Sequence, residues 1–400
     1  MKCKRPIHIL AAFLAFGCVY CSDAIAHPQL PLKIVGQLSG DGFFAGGETY
    51  RAVQVKIPWV YALDRDGGLH VYRLPRNTLL NFAAGVLAEF RIRTPFWLDP
   101  QFTDEPTVLE EIKTLKGAGD GNDLEIVGDH LLLTCRGRLA VYSIAQGPAP
   151  QHQSTEGSPE ADDSKSIVRK GDNVFLLGGE TISSFEFSDG KLNYRQTRKT
   201  ELSNWNGCLF GKYLYVSGRS KNRAGIAVYD TSNEKAIVEK YFLPTPRLAY
   251  HIFMNQDDHL ICCIDSESRF HSITSKNITV SGTTMIYKTT ENQKPDLAST
   301  NVGSGGRTAV ALNYNDQTVL LCNGIAFESK ADKLISGYTF FPDGTTLDGA
   351  PYGGDQCGSY SALATDRAIT IFRYGAHPAC EAGHQFAKLL RSIGCRYQRC

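Results

Sequence analysis

This 400-residue chain has little surplus charge of either sign. Its 42 Lys and Arg face 41 Asp and Glu, for a formal net charge of +1. That balance gives no broad electrostatic grip on nucleic acid or on an anionic membrane. Methionine is scarce, at 3 residues, and so is tryptophan, also at 3. Beyond the N-terminus no segment is apolar and long enough to span a bilayer, which takes about 20 residues. The nucleotide loops are missing too. "GAGDGND", residues 117 to 123, is rich in glycine but lacks both the Walker A ending and the Rossmann spacing. There is no H-E-x-x-H zinc motif and no G-x-S-x-G nucleophile elbow. These absences remove the readily legible routes to catalysis, and the sequence names no cofactor.

The N-terminus carries a targeting pattern. Lys2, Lys4 and Arg5 precede the apolar run "ILAAFLAFGCVYC", and "AIA" at 24 to 26 offers the small residues that a signal peptidase reads. Cleavage is expected after Ala26, leaving a secreted or periplasmic chain. An uncleaved anchor would need a longer run, and bulky Phe16 disfavours lipidation at Cys18. Removing residues 1–26 takes Cys3, Cys18 and Cys21 with it, so nine of the twelve cysteines remain. An odd number leaves one thiol unpaired, or available for a bond between chains. Cys262, Cys263 and Cys322 sit in apolar runs and read as buried small hydrophobes. In an oxidising compartment Cys357, Cys380, Cys395 and Cys400 are the candidate disulfide formers.

The chain also repeats. An apolar run, a polar turn and a second apolar run recur seven times. The copies begin at Val60, Leu131, Val174, Leu214, Leu260, Val319 and Ser361, at spacings of 71, 43, 40, 46, 59 and 42 residues. A period near 40 to 50 residues with several strands per unit is the signature of a β-propeller. Runs such as "VFLL" and "VLLC" are apolar throughout, as strands covered on both faces must be. "DRDGG", "CRGR", "LGGE" and "SDGK" supply residues that tolerate positive φ in tight hairpins. The spacing predicts an all-β, seven-bladed propeller over residues 27–374. The strand beginning at Leu32 is expected to close the last blade, because open sheet edges invite aggregation. Residues 375–400 are expected to form a cysteine-containing tail with a short helix, whose Phe386, Leu389, Leu390 and Ile393 share one face. The segment after the first unit, ending "EEIKTL", reads as a loop with a short helix. Residues 146 to 166 and 289 to 306 read as polar surface loops.

The unit "LYVSG…GIAVYDTSN" resembles the repeats of bacterial exported propellers of the LVIVD and YVTN type. The likeness runs over about residues 47 to 374 and is best at 212 to 244. No unit carries the Trp-Asp end of WD-type repeats, and Trp59, Trp97 and Trp205 are too few for the Trp-docking pattern of quinoprotein dehydrogenases. The resemblance implies a fold and carries no catalytic residue with it.

Candidate chemistry is sparse. Asp120, Asn122 and Asp123 offer oxygens to Ca²⁺, yet without the distant Glu of an EF-hand they read more simply as a solvated turn. His70 and His271 occupy matching second strands; a shared metal is one reading, ordinary hydrogen-bonded histidines the other. "DDHLICCID" gathers possible zinc ligands at Asp257, Asp258, His259, Cys262, Cys263 and Asp265. Strand alternation should send its two cysteines to opposite faces. Asn277 begins a glycosylation sequon. Tyr250, Tyr314, Tyr338 and Tyr360 are either a sugar-binding face or ordinary strand residues. The expectation is a propeller that binds a protein or glycan partner without a catalytic site. The alternative is a propeller lactone or ester hydrolase with a metal in its channel.

Overall fold

In the computed structural model the described residues are 33–39, 50–74, 107–108, 110–158, 160–161, 163–233, 236–255, 258–265, 282–290, 293–302, 309–314, 317–322, 325–330, 333–338, 351–357, 360–365, 368–373, 385–386 and 388–389. They form strands β1 to β29. The chain divides into two compact units: Met1–Gln37 with Pro75–Val108 and Phe372–Cys400, and Leu38–Leu74 with Leu109–Ile371. In the smaller unit β1 (Lys33–Ser39) pairs in parallel with β5 (Thr107–Val108), setting Gly36 opposite Thr107.

The larger unit holds six four-stranded antiparallel sheets. The first comprises β2 (Tyr50–Lys56), β3 (Trp59–Asp64), β4 (Leu69–Arg73) and β6 (Glu110–Leu115). The second has β7 (Leu124–Val127), β8 (His130–Cys135), β9 (Arg138–Ser143) and β10 (Gln151–Gly157). The third has β11 (Ser166–Lys170), β12 (Asn173–Gly178), β13 (Thr181–Ser188) and β14 (Lys191–Lys199). The fourth has β15 (Ser203–Phe210), β16 (Tyr213–Arg219), β17 (Ala224–Asn233) and β18 (Ala236–Pro244). The fifth has β19 (Ala249–Met254), β20 (His259–Asp265), β21 (Gly282–Lys288) and β22 (Asp296–Val302). The sixth has β23 (Ala309–Tyr314), β24 (Gln317–Cys322), β25 (Ile325–Lys330) and β26 (Lys333–Tyr338). Then come β27 (Pro351–Cys357), β28 (Tyr360–Thr365) and β29 (Ala368–Arg373). The first strands touch in a circuit: β2 on β7, then β11, β15, β19, β23 and β27, which returns to β2. These sheets are the blades of a β-propeller.

The expectation of seven like blades is corrected to six four-stranded blades. The seventh copy, at Ser361, supplies β28 and β29 beside β27. No fourth antiparallel strand follows β29 among the described residues, so this copy builds no four-stranded blade of its own. The expected C-terminal helix is also corrected. No helix element occurs among the described residues. Gln385, Phe386, Lys388 and Leu389 carry helical backbone, but Phe386 and Leu389 are 44% and 59% exposed rather than packed away. Three further segments prove to be outer strands. "EEIKTL" is β6, with Thr114 opposite His70, and the polar stretches supply β10 and β22. An outermost strand has a neighbour on one edge alone, so ladder hydrogen bonds can hold it without an apolar pattern.

The core lies between successive blades. Leu131 and Leu133 pack with Tyr61, Leu69 and Val71 of the first blade, while Leu132 packs with Val174, Leu176 and Phe185 of the third. Phe175 and Leu177 turn instead to Leu214 and Val216 of the fourth. Strict alternation along buried strands thus gives each blade two apolar faces. Each large apolar side chain buried there contributes about 1.5–3 kcal/mol. The hairpins follow their predicted chemistry. Arg136 and Gly137 have φ of 49° and 77°, and Asp189 and Gly190 have 51° and 75°. Two successive positive φ values make the turn whose twist matches its strands.

Candidate functional site

Three side chains stitch one blade to the next by the same device. Asp123, just before β7, accepts the Ile167 N–H of β11 at 2.7 Å. Asn206 of β15 accepts the Ile252 N–H of β19 at 3.0 Å. Asp355 of β27 accepts the Val55 N–H of β2 at 2.7 Å. Beside the first stitch Glu125 receives Gln54 Nε2 and Arg169 Nε, both at 3.4 Å, from the flanking inner strands. Asp123 and Asp355 keep part of their surface in solvent, yet enclosing protein strips away enough water to push both carboxyls up to about 7. Burial raises Glu125 as well, against the pull of Arg169. The negative charge of Glu125 adds to the rise at Asp123 and at Asp355.

The residues singled out from sequence fall into place differently. Asp120, Asn122 and Asp123 lie in a half-buried turn segment whose carboxylate oxygens are taken up by protein donors. Asp120 accepts Thr134 Oγ1 at 2.6 Å, the Arg136 N–H at 2.7 Å and the Ser164 hydroxyl. Asn122 Nδ2 donates to Ser164 O at 2.6 Å. The cluster is a junction between the second and third blades. His70 is buried, with Nε2 2.9 Å from Asp64 Oδ2 and Nδ1 2.8 Å from Glu111 Oε1. It ties the β3–β4 hairpin to β6. Cys262 packs with the fourth blade and Cys263 with Leu320 of the sixth, the divergence that alternation requires. Burial pushes the thiols of Cys208 and Cys262 far up, which keeps them protonated and poorly nucleophilic. Cys357 is half-buried with a free thiol, and Cys380, Cys395 and Cys400 lie outside the described residues, as do Asp257, His271 and Asn277. Among the described residues no three His, Cys, Asp or Glu side chains are grouped to hold a metal ion, and no helix is long and apolar enough to cross a membrane.

One cleft combines exposure with concentrated charge. Its cavity, about 470 Å³, is lined by the β16–β17 turn with Arg219, Lys221 and Arg223, and by Arg247, Leu248 and Tyr250 at the entry to β19. The turn is tightly built. Gly218 lies opposite Gly225 across the hairpin, and a Cβ at these positions would fall 2.8 Å from Ser203 O and 2.3 Å from Leu243 O. The Ser220 N–H donates to Arg223 O at 2.7 Å. Arg223 is held over the Phe242 ring at 4.5 Å and paired with Glu201 at 2.7 Å. Tyr250 meets Trp205 of β15 edge to face, with centroids 5.3 Å apart, and Trp205 is 38% exposed. Lys165, before β11, places its ammonium 5.9 Å from the Trp205 ring. Lys165, Trp205 and Tyr250 therefore mark the same end of three successive inner strands. Tyr250 was among the tyrosines noted in the sequence. Tyr360 is buried in β28, and the side chains of Tyr314 and Tyr338 are outside the described set. The charges were overlooked, although the run "GRSKNRAG" between two apolar strands was their signal.

Comparison with known proteins defines the class. No family model matches the chain, and no curated protein does. Among solved structures it is similar to the Pan2 WD40 domain of Neurospora crassa, with TM-score 0.53, 10% identity, and 89% of this chain and 98% of that one covered. It is also similar to a 6-phosphogluconolactonase candidate from Bacteroides fragilis, with TM-score 0.54, 10% identity, and 83% and 99% covered. A second such candidate, from Bacteroides uniformis, gives TM-score 0.52, 11% identity, and 77% and 95% covered. The likeness is one of fold, and the fold is the β-propeller.

Proposed function

We propose that this protein is an exported β-propeller, with repeats of the LVIVD and YVTN kind, that binds a protein or glycan partner through one end of its inner strands. The observation that carries this reading is the cleft of Arg219, Lys221, Arg223, Arg247 and Tyr250 beside half-exposed Trp205. Exposed aromatic and Arg side chains are the groups that anchor partners, and an ordinary solvated turn needs neither. Export rests on the N-terminal targeting pattern, and the odd cysteine leaves room for a bond between chains. The test is to present the purified mature chain to glycan and peptide arrays. Binding that weakens when Trp205 is replaced by Ala supports the reading. Binding indifferent to Trp205 counts against it.

A lactone or ester hydrolase is the second reading. It is favoured by the position of Glu125 on β7, whose negative charge acts both on Asp123 beside it and on Asp355 of β27. Near one equivalent of Ca²⁺ or Zn²⁺ in protein never exposed to chelator would favour it. Metal-free protein without esterase turnover would not.

A further inference from the structure

We infer that the cleft between the β16–β17 turn and strand β19 binds an acidic saccharide, a sugar chain bearing carboxylate or sulfate groups. This deepens the binding-module reading and rests on it. The anionic part follows from the lining. Four cationic residues line one cavity of about 470 Å³, Arg223 among them already paired with Glu201, in a chain whose formal charge is only +1. The volume lies inside the range of about 300–1,000 Å³ typical of small-ligand sites. Three of the cations are arginines, whose planar forks match carboxylate and sulfate oxygens two at a time. The turn that carries Arg219, Lys221 and Arg223 is already fixed, by the close approach of Gly218 to Ser203 and of Gly225 to Leu243 and by the Ser220–Arg223 hydrogen bond. Arg223 is further held by Phe242 and Glu201. The turn backbone and the Arg223 side chain are thus set before a ligand arrives, which lowers the ordering cost of binding.

The saccharide part follows from the aromatics. Tyr250 lines the cavity and meets Trp205 edge to face, so the cations stand beside an amphipathic ring pair. Pyranose rings carry apolar C–H faces that pack on aromatic rings, while their hydroxyl and acid groups reach the polar rim. An acidic peptide would need the arginines but not the rings. A nucleic acid would need a basic stripe longer than one turn and one strand entry.

The test uses the full mature chain and four probes: tetragalacturonate, a heparin tetrasaccharide, neutral maltotetraose and a polyglutamate peptide. Titration is followed by calorimetry and by tryptophan fluorescence. One of the two acidic saccharides is expected to bind, less tightly as salt is raised, with no response to maltotetraose. An Arg219→Ser, Lys221→Ser double variant changes exposed turn residues and should melt like the parent. It should bind the acidic saccharide roughly tenfold more weakly, because two charge-assisted contacts are gone. Trp205→Ala should weaken the saccharide and leave any polyglutamate binding alone. Failure of both acidic saccharides to bind overturns the inference. So does polyglutamate binding as tightly as the saccharides, which would make the cleft an acidic-peptide site. Array partners that bind the double variant as well as the parent would preserve the binding-module reading and discard this ligand class.

Discussion

At the scale of single residues, Asp123 and Asp355 do double duty. Each receives a backbone N–H from the next blade, and each sits where its charge is poorly solvated. Both carboxyls are raised from 3.8 to about 7, so each binds its proton more tightly in the folded chain than in the unfolded one. Between those values the folded state holds the extra protons, and stability falls as pH rises across the window. Asp129 and Asp230 are shifted downward, by Lys56 and by Ser232, and act in the opposite sense, Asp129 from an exposed position where such effects are small. The melting temperature should therefore be several degrees higher at about pH 5 than at about pH 8. Asp123→Asn keeps an oxygen for the Ile167 N–H but cannot titrate. It should flatten that pH slope, and an undiminished slope would assign the dependence to other groups.

At the scale of elements, the inner strands were legible and the outer ones were not. Val174–Leu177 and Leu131–Leu133 announce themselves because a strand covered on both faces has no polar position to spare. β10 does not, because almost every side chain on it is exposed or half-exposed. Only its ladder with β9, from Gln151 opposite Ser143 to Gly157 opposite Arg138, makes it a strand. A sequence records side-chain burial well and backbone pairing poorly. The cleft divides in the same way. Arg219, Lys221 and Arg223 can be read from one short run, whereas Arg247 and Tyr250 join them only because the next blade folds alongside. Excising residues 148 to 164 should therefore lower the melting temperature and leave β9 as a bare edge prone to association. A neutral deletion would show that the blade tolerates three strands. Removing residues 27 to 40 takes β1 from its partner β5 and should likewise lower the melting temperature, whereas unchanged melting would show β1 to be dispensable.

At the scale of the whole molecule, the targeting pattern makes a direct prediction: exported protein should begin at His27 by intact mass, and an N-terminus still carrying residues 1–26 would refute cleavage there. The bond from Asp355 to the Val55 N–H links positions 300 residues apart. Val55 emerges from the ribosome with the first blade, and Asp355 is made almost last. At about 5–20 residues per second, the Val55 edge of β2 waits roughly 15 to 60 seconds for its partner. During that interval the early blades present an unfinished flank to anything nearby. A chain built in this order gains from whatever keeps it unfolded until synthesis is complete.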